Sequence, residues 1–186
     1  MPSPAGSTAV TPRKLLHRFR RDRRGSAAIE FAMIATPFFA LLFAIIETSL
    51  VFFAGQVLET GLQDSARKIY THQAQDQGKN GTDFKTDLCS RVSVLMDCTR
   101  LDIDVKFYLP GTPITISDPI SGGSYDPSGF TYSVPPTNSP ATVVARAFYR
   151  WPLYVTGLGY NIANINRGSS NSQRLLAATA AFHVEP

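Results

Sequence analysis

The stretch RRGSAAIEFAMIATPFFALLFAIIETSLVFFAG, residues 23–55, decides the fold of this chain. No charged side chain occurs between residues 31 and 46, and eight further uncharged residues follow Glu47. At a rise of ~1.5 Å per residue, a helix over residues 26–55 is ~45 Å long, which exceeds the ~30 Å hydrocarbon core of a bilayer. The sequence therefore predicts one membrane-spanning helix here. A buried core helix is the alternative, but such a helix seldom follows so basic a segment.

Basic residues are concentrated before this helix. Residues 1–25 contain seven Lys and Arg side chains and one acid, Asp22, which gives them a net charge of +6 and leaves −2 for the rest of a chain whose total is +4. The positive-inside rule predicts a cytoplasmic N-terminus and a C-terminal domain on the far side of the membrane. The basic residues that remain are thinly spread, so nucleic acid is not an expected partner.

A glycine and a glutamate mark the junction between the basic stretch and the helix. Gly25 follows the basic residues, and Glu30 stands five residues further on, inside the apolar segment. A secretory signal would have a shorter apolar run with its cleavage site after it. A carboxylate near the centre of a membrane costs ~2.5–3.5 kcal/mol, so it marks function by default. The cost is smaller at a helix start, and a simple helix-end charge is the alternative.

This junction resembles the processing site of type IV prepilins. The whole stretch of residues 23–53 resembles the TadE-like family, the pseudopilins of the tight-adherence (Flp-type) pilus system. The pair Glu30-Phe31 departs from the Glu-Tyr that the major pilins favour, and those pilins are much shorter. Weaker similarities follow in order at residues 58–59, 66–67, 88–89, 97–98, 149–153 and 177–182.

The resemblance implies a minor pilin or pseudopilin that takes part in assembly or priming of the pilus. It implies cleavage by a prepilin peptidase between Gly25 and Ser26, and pairing of Glu30 with the new α-amino group, between subunits, during assembly. Partners would be the peptidase, other pilins and pseudopilins, the inner-membrane assembly platform and the lipid bilayer, with adhesion and biofilm formation as the setting. Neither an enzymatic activity nor a cofactor is expected. The alternative is a single-pass membrane-anchored binding or sensor protein with an exported recognition domain.

The chain divides into a leader (1–25), a transmembrane helix (26–55), an exported continuation of that helix (56–72) and an exported α+β domain (73–186). Pro37 lies within the span and is expected to bend or locally break the helix, or to be tolerated there. The resemblance implies that this proline accompanies loosening of the helix on assembly. Residues 56–72 keep an apolar stripe at three- and four-residue spacing, which would pack on the domain or on neighbouring subunits.

Two cysteines, Cys89 and Cys98, follow the apolar segment. In an oxidising compartment they would form a structural disulfide, whereas in the cytosol two thiols are expected. Nine residues apart on one helix, they would face opposite ways, so a bond requires the helix to end near Met96 and the chain to turn back. A redox role is the alternative, but the spacing is not C-x-x-C.

The remaining patterns predict a small antiparallel sheet, and the fold class is α+β. A polar linker (73–83) precedes one short helix, and strands are predicted at 101–109, 142–153 and 175–184. Residues 110–140 contain seven prolines and four glycines, which predicts a long irregular excursion.

No catalytic or phosphate-binding motif is present. Asp102 and Asp104 share one strand face and are expected to be exposed; a calcium site is the alternative. The aromatic cluster Phe148, Tyr149, Trp151 and Tyr154 is expected in the core, with a surface contact patch as the alternative.

Overall fold

The computed structural model describes residues 25–156 and 160–185, so the predicted leader lies outside the described residues except for Gly25. The chain forms two compact units, Met1–Leu42 and Phe43–Pro186. Helix α1, Ser26–Tyr70, contributes to both. The other elements belong to the second unit: α2 (Gln73–Asp76), α3 (Gly81–Val92), a 3-10 turn (Cys98–Arg100), β1 (Leu101–Tyr108), β2 (Ile120–Ser121), β3 (Ser124–Tyr125), β4 (Ala141–Pro152) and β5 (Gln173–Val184). The α+β prediction is confirmed.

Three antiparallel strands form the main sheet in the order β1-β4-β5. The central strand β4 is buried on both faces, because α1 and α3 pack on one side and the 110–140 excursion on the other. The excursion was predicted to be irregular, but β2 and β3 form a short hairpin within it, joined by Gly122 and Gly123, both at positive φ. Tight hairpin turns favour glycine at such angles.

The buried stripe of α1 forms one wall of the core. Its members recur every three or four residues, so they lie on one face of the helix, and they pack against α3 and the inner face of the sheet. The stripe therefore packs on the domain of its own chain. At Gly61, an added Cβ would lie 3.0 Å from Val92 Cγ1, so the absent side chain lets α3 approach. The buried residues of this stripe are Ala44, Glu47, Val51, Ala54, Leu58, Gly61, Leu62, Ser65, Ala66 and Ile69.

Helix α3 begins earlier than the sequence pattern predicted. Asn80 Oδ1 accepts hydrogen bonds from the backbone N–H groups of Thr82 and Asp83, and Asp83 Oδ2 accepts one from Asn80 N. This reciprocal capping box fixes the start at Gly81. The predicted linker 73–83 is therefore partly helical, and it also contains α2.

The predicted disulfide between Cys89 and Cys98 is present. Helix α3 ends at Val92, and the backbone N–H groups of Leu95 and Met96 both donate to the Val92 carbonyl as the chain turns back. The two cysteine Cα atoms are thereby brought to 5.8 Å, within the usual range for a disulfide. The bond holds the end of α3 against the start of β1.

The expectation of an exposed acidic face on β1 is wrong. Asp104 is 2% exposed and lies directly opposite Arg146 in the register of β1 and β4. Arg146 Nη2 lies 2.5 Å from Asp104 Oδ2, while Lys106 Nζ lies 3.3 Å from Oδ1 and Thr131 N donates to Oδ1 at 3.0 Å. Arg146 Nη1 also donates to the Ser117 carbonyl. The carboxylate is thus occupied by protein groups, and it ties the excursion to the sheet.

Aromatic side chains pack on the same face of the sheet. The Arg146 guanidinium lies 5.2 Å from the Phe148 ring centroid, and Tyr125 donates to Asp102 Oδ2 at 2.9 Å. Burial raises the pKa of the Tyr125 hydroxyl and the Asp102 carboxylate raises it further, so the phenol stays protonated and remains a donor. Arg150 covers the Tyr125 ring from the neighbouring strand.

The aromatic residues near the end of β4 were predicted to lie together in the core. Phe148 and Tyr149 are buried, and Trp151 packs against the core from its edge. For Tyr154 the prediction is wrong, since its side chain is 83% exposed.

We predict that Asp104→Asn lowers the free energy of unfolding by ~3–5 kcal/mol, because it leaves the buried Arg146 charge without its partner. The double variant Asp104→Leu with Arg146→Met should recover most of that loss. Asp64→Asn, which disrupts the exposed ion pair with Arg91, is the matched control and should cost no more than ~1 kcal/mol. Urea unfolding of the full chain in detergent, followed by Trp151 fluorescence, measures all three. An Asp104→Asn loss equal to that of the control would contradict the prediction.

Candidate functional site in the long helix

The predicted cleavage junction lies at the beginning of α1. Gly25 immediately precedes the helix, and an added Cβ at this residue would meet nothing within 4 Å. Ser26 is the first helical residue, and its hydroxyl donates to Glu30 Oε1 at 2.9 Å. Both side chains are exposed. The helix thus places residue 26 one turn from the Glu30 carboxylate, as the i,i+4 spacing requires.

Most of the large apolar side chains that follow are exposed. Among the described residues, α1 is the one helix long and apolar enough to cross a membrane, and its most apolar window has a mean hydropathy of 2.2 and is not buried. Large apolar side chains are exposed along the helix: Ile29, Phe31, Met33, Ile34, Phe38, Leu41, Leu42, Ile45, Ile46, Leu50, Phe52 and Phe53. Such a surface requires either lipid or other helices around it.

Pro37 lies inside α1, and the helix continues through it without interruption. Proline has no N–H to donate to the carbonyl of residue 33. One residue earlier, the Thr36 hydroxyl donates to the Ala32 carbonyl at 2.8 Å. The local break that was one of the expectations is not observed, and bending stays a prediction.

Glu47 is a functional candidate that the sequence analysis missed. It belongs to the buried stripe of α1, and its carboxylate accepts hydrogen bonds from the backbone N–H groups that follow β4. Oε1 accepts from Tyr154 N at 2.6 Å and from Val155 N at 3.2 Å, and Oε2 lies 3.3 Å from Val155 N. Next to it, Thr48 Oγ1 lies 3.1 Å from the Tyr160 hydroxyl. Glu47 therefore anchors the chain after β4 to the helix.

A signal for Glu47 was present in the sequence. It is the one charged residue in the otherwise uncharged run that extends from residue 31 to residue 55. The argument that a carboxylate in such a run marks function applies to it as fully as to Glu30. Its partners are backbone N–H groups more than a hundred residues away, which no local pattern reveals.

The described residues contain no group of three or more His, Cys, Asp or Glu side chains placed to hold a metal ion. An open cleft of about 480 Å³ is lined by Tyr70, His72, His183 and Glu185. His72 Nε2 lies 3.0 Å from the Glu185 carbonyl oxygen, so one ring nitrogen is already engaged. None of the described residues that line the cleft is a serine or a cysteine.

The described residues thus form a candidate membrane-spanning helix near the N-terminus, followed by a small α+β domain that contains a disulfide. Residues 25–67 match the family model described as TadE-like protein, which confirms the resemblance found in the sequence. The match covers Gly25 and most of helix α1, and the α+β domain lies outside it. Neither the comparison with curated proteins nor that with solved structures gives a match.

We predict that Glu47→Leu accelerates hydrogen exchange at the Tyr154 and Val155 amides about tenfold or more, since hydrogen bonds to a charged group contribute ~1.5–3 kcal/mol. Glu59→Gln is the matched control on the same helix, where the carboxylate accepts a hydrogen bond from the exposed Gln63 side chain. Hydrogen exchange of the full chain in detergent, read by mass spectrometry on peptides that cover residues 153–156, measures the effect. Equal exchange in both variants would remove Glu47 from its anchoring role.

Proposed function

We propose that this chain is a minor pilin or pseudopilin that takes part in assembly or priming of a tight-adherence pilus after its leader is removed. The observation that supports this best is an uncovered apolar helix that begins one residue after Gly25, within the TadE-like match. A prepilin peptidase would cut between Gly25 and Ser26, so that the mature chain begins with the helix itself.

The proposed location is the bacterial inner membrane. The basic residues of the leader favour a cytoplasmic N-terminus, which directs the α+β domain to the periplasm. The disulfide between Cys89 and Cys98 is consistent with that oxidising compartment. The mature protein would remain in the membrane or enter the extracellular pilus.

Assembly exchanges one apolar environment for another. In the bilayer, lipid covers Phe31, Phe38 and Leu41; in a pilus, helices of other pilins and pseudopilins would cover them. Lipid chains are as apolar as these side chains, so the exchange gains little from the hydrophobic effect. Packing and polar contacts must then set the register of the incoming subunit. The inner-membrane assembly platform would supply the work of extraction.

Glu30 is the polar group best placed to set that register. After cleavage, the α-amino group of Ser26 would lie one turn from its carboxylate, where the serine hydroxyl already donates to it. An ammonium and a carboxylate attract strongly in a dry helix bundle, and pairing offsets the desolvation of both. Pairing between neighbouring subunits would align each new helix with the one before it.

We predict that Gly25→Leu blocks removal of the leader while membrane insertion persists, because the basic flank and the apolar run are unchanged. Gly55→Ala is the matched control: a Cβ added at this glycine would also meet nothing within 4 Å, but the residue lies far from the junction. Intact-mass analysis of membrane-extracted protein, with and without the prepilin peptidase, measures the loss of residues 1–25. A native N-terminus at Met1 or Pro2 in peptidase-positive cells would contradict the proposal and favour an uncleaved membrane-anchored binding protein.

We predict that Glu30→Ala and Glu30→Gln both impair incorporation or priming, because each removes the charge and the glutamine keeps the shape. Glu59→Gln on the same helix should assemble normally. Membrane fractionation and formation of the Cys89–Cys98 bond serve as checks that insertion and folding are unchanged. If cells in which either Glu30 variant is the sole copy form normal pili, the proposed role in assembly is contradicted, and Glu30 is then only a charge at the end of the helix.

A further inference from the structure

We propose that Tyr154 and Tyr160 form a contact with the lipid head-group layer, on the side of the membrane where the α+β domain lies. The inference rests on the membrane span of the proposed function and adds a second attachment of the domain to the bilayer. Its partner is a phospholipid surface.

Both tyrosines contact α1, and both side chains are exposed. The Glu47 carboxylate holds the backbone N–H of Tyr154, and the Thr48 hydroxyl lies 3.1 Å from that of Tyr160. The side chains nevertheless remain 83% and 41% exposed, respectively. Tyr154 therefore combines a backbone held by Glu47 with an exposed ring, and Tyr160 is held through its hydroxyl group; a contact surface requires such fixed aromatic groups.

The attachment point lies within the apolar part of α1. Ile46 precedes it, and Leu50 and Phe53 follow it, all with exposed side chains. Ser49 is also exposed in this stretch, and larger exposed polar side chains follow at Gln56 and Thr60. The environment that surrounds Leu50 and Phe53, lipid or water, must therefore also surround the Tyr154 side chain, because its backbone is held at Glu47.

The length of the helix also places the edge of the hydrocarbon core close to Glu47. A membrane helix needs ~20 residues to cross the hydrocarbon core. Twenty residues counted from Ser26 end at Ile45, two residues before Glu47. The tyrosines would therefore lie where hydrocarbon gives way to head groups.

Tyrosine suits that layer, because its ring is apolar and its hydroxyl is polar, and it is enriched at membrane interfaces. Two exposed arginines hydrogen-bond to the residues that follow Tyr160 in sequence: Arg167 donates to the Asn161 carbonyl and Arg174 to the Ile162 carbonyl. Guanidinium groups beside interfacial aromatic residues suit lipid phosphates. Tyrosine is also common in protein–protein interfaces, but the apolar surface continuous with this one is the length of a membrane span, which favours lipid.

Depth-dependent fluorescence quenching tests the inference with the full chain. Trp151 is the one tryptophan of the sequence, so Trp151→Phe provides a background for single probes. In that background Tyr154→Trp is the test and Val94→Trp the matched control, since Val94 is 92% exposed and lies in the turn after α3. Phe38→Trp reports on the span itself. Each variant is reconstituted in 3:1 phosphatidylcholine–phosphatidylglycerol vesicles that contain lipid brominated near the head group or deep in the chain.

We expect the Tyr154→Trp probe to be quenched at least twofold more by the shallow bromine than by the deep one, and to be shielded from aqueous acrylamide. The Val94→Trp probe should be quenched by acrylamide alone. If the two probes behave alike while the Phe38→Trp probe is quenched by deep bromine, the inference is overturned and the span stands. If neither brominated lipid quenches the Phe38→Trp probe, the proposed membrane span is contradicted, and so is the inference that depends on it.

Discussion

The structure depends on one constraint: a single apolar helix has more surface than one small domain can cover. Helix α1 has 45 residues, and its buried positions form one stripe that begins at Ala44 and ends at Ile69. Before that stripe, the large side chains are exposed on every face of the helix. The hydrophobic effect therefore requires two environments for one element: the core of the domain for the later turns, and lipid or other helices for the earlier ones.

The α+β domain is built to hold the later turns of α1. Small residues at Gly61, Ser65 and Ala66 let α3 and the sheet approach the helix closely. The disulfide fixes the turn after α3, and the Asp104–Arg146 pair ties the proline-rich excursion to the far face of the sheet. Glu47 then anchors the chain after β4, so the polar contacts of the domain extend down α1 to the level where its outer face is apolar.

Local patterns were sufficient for most elements and insufficient for the polar contacts. Hydropathy predicted α1, strict alternation predicted β1, and the cysteine spacing was correctly taken to require a turn. The burial of Asp104 could not be foreseen, because Arg146 becomes its neighbour only through the register of two strands 42 residues apart. Glu47 is a similar case, since its partners are backbone N–H groups that have no sequence signature. The start of α3 was predicted too late for a different reason. The Asn80 capping box was present in the sequence, but these residues were assigned to a linker.

A spin-label scan along α1 tests the division of the helix most directly. Single nitroxides placed from Ile29 to Ile69 in the full chain, reconstituted in lipid vesicles, report their accessibility to oxygen, which is concentrated in the bilayer. The account predicts high accessibility on every face before Ala44, and a pattern with a period of 3.6 residues after it, whose minima fall at Val51, Leu58, Leu62 and Ile69. A periodic pattern along the entire helix, or uniformly low oxygen accessibility before Ala44, would contradict it.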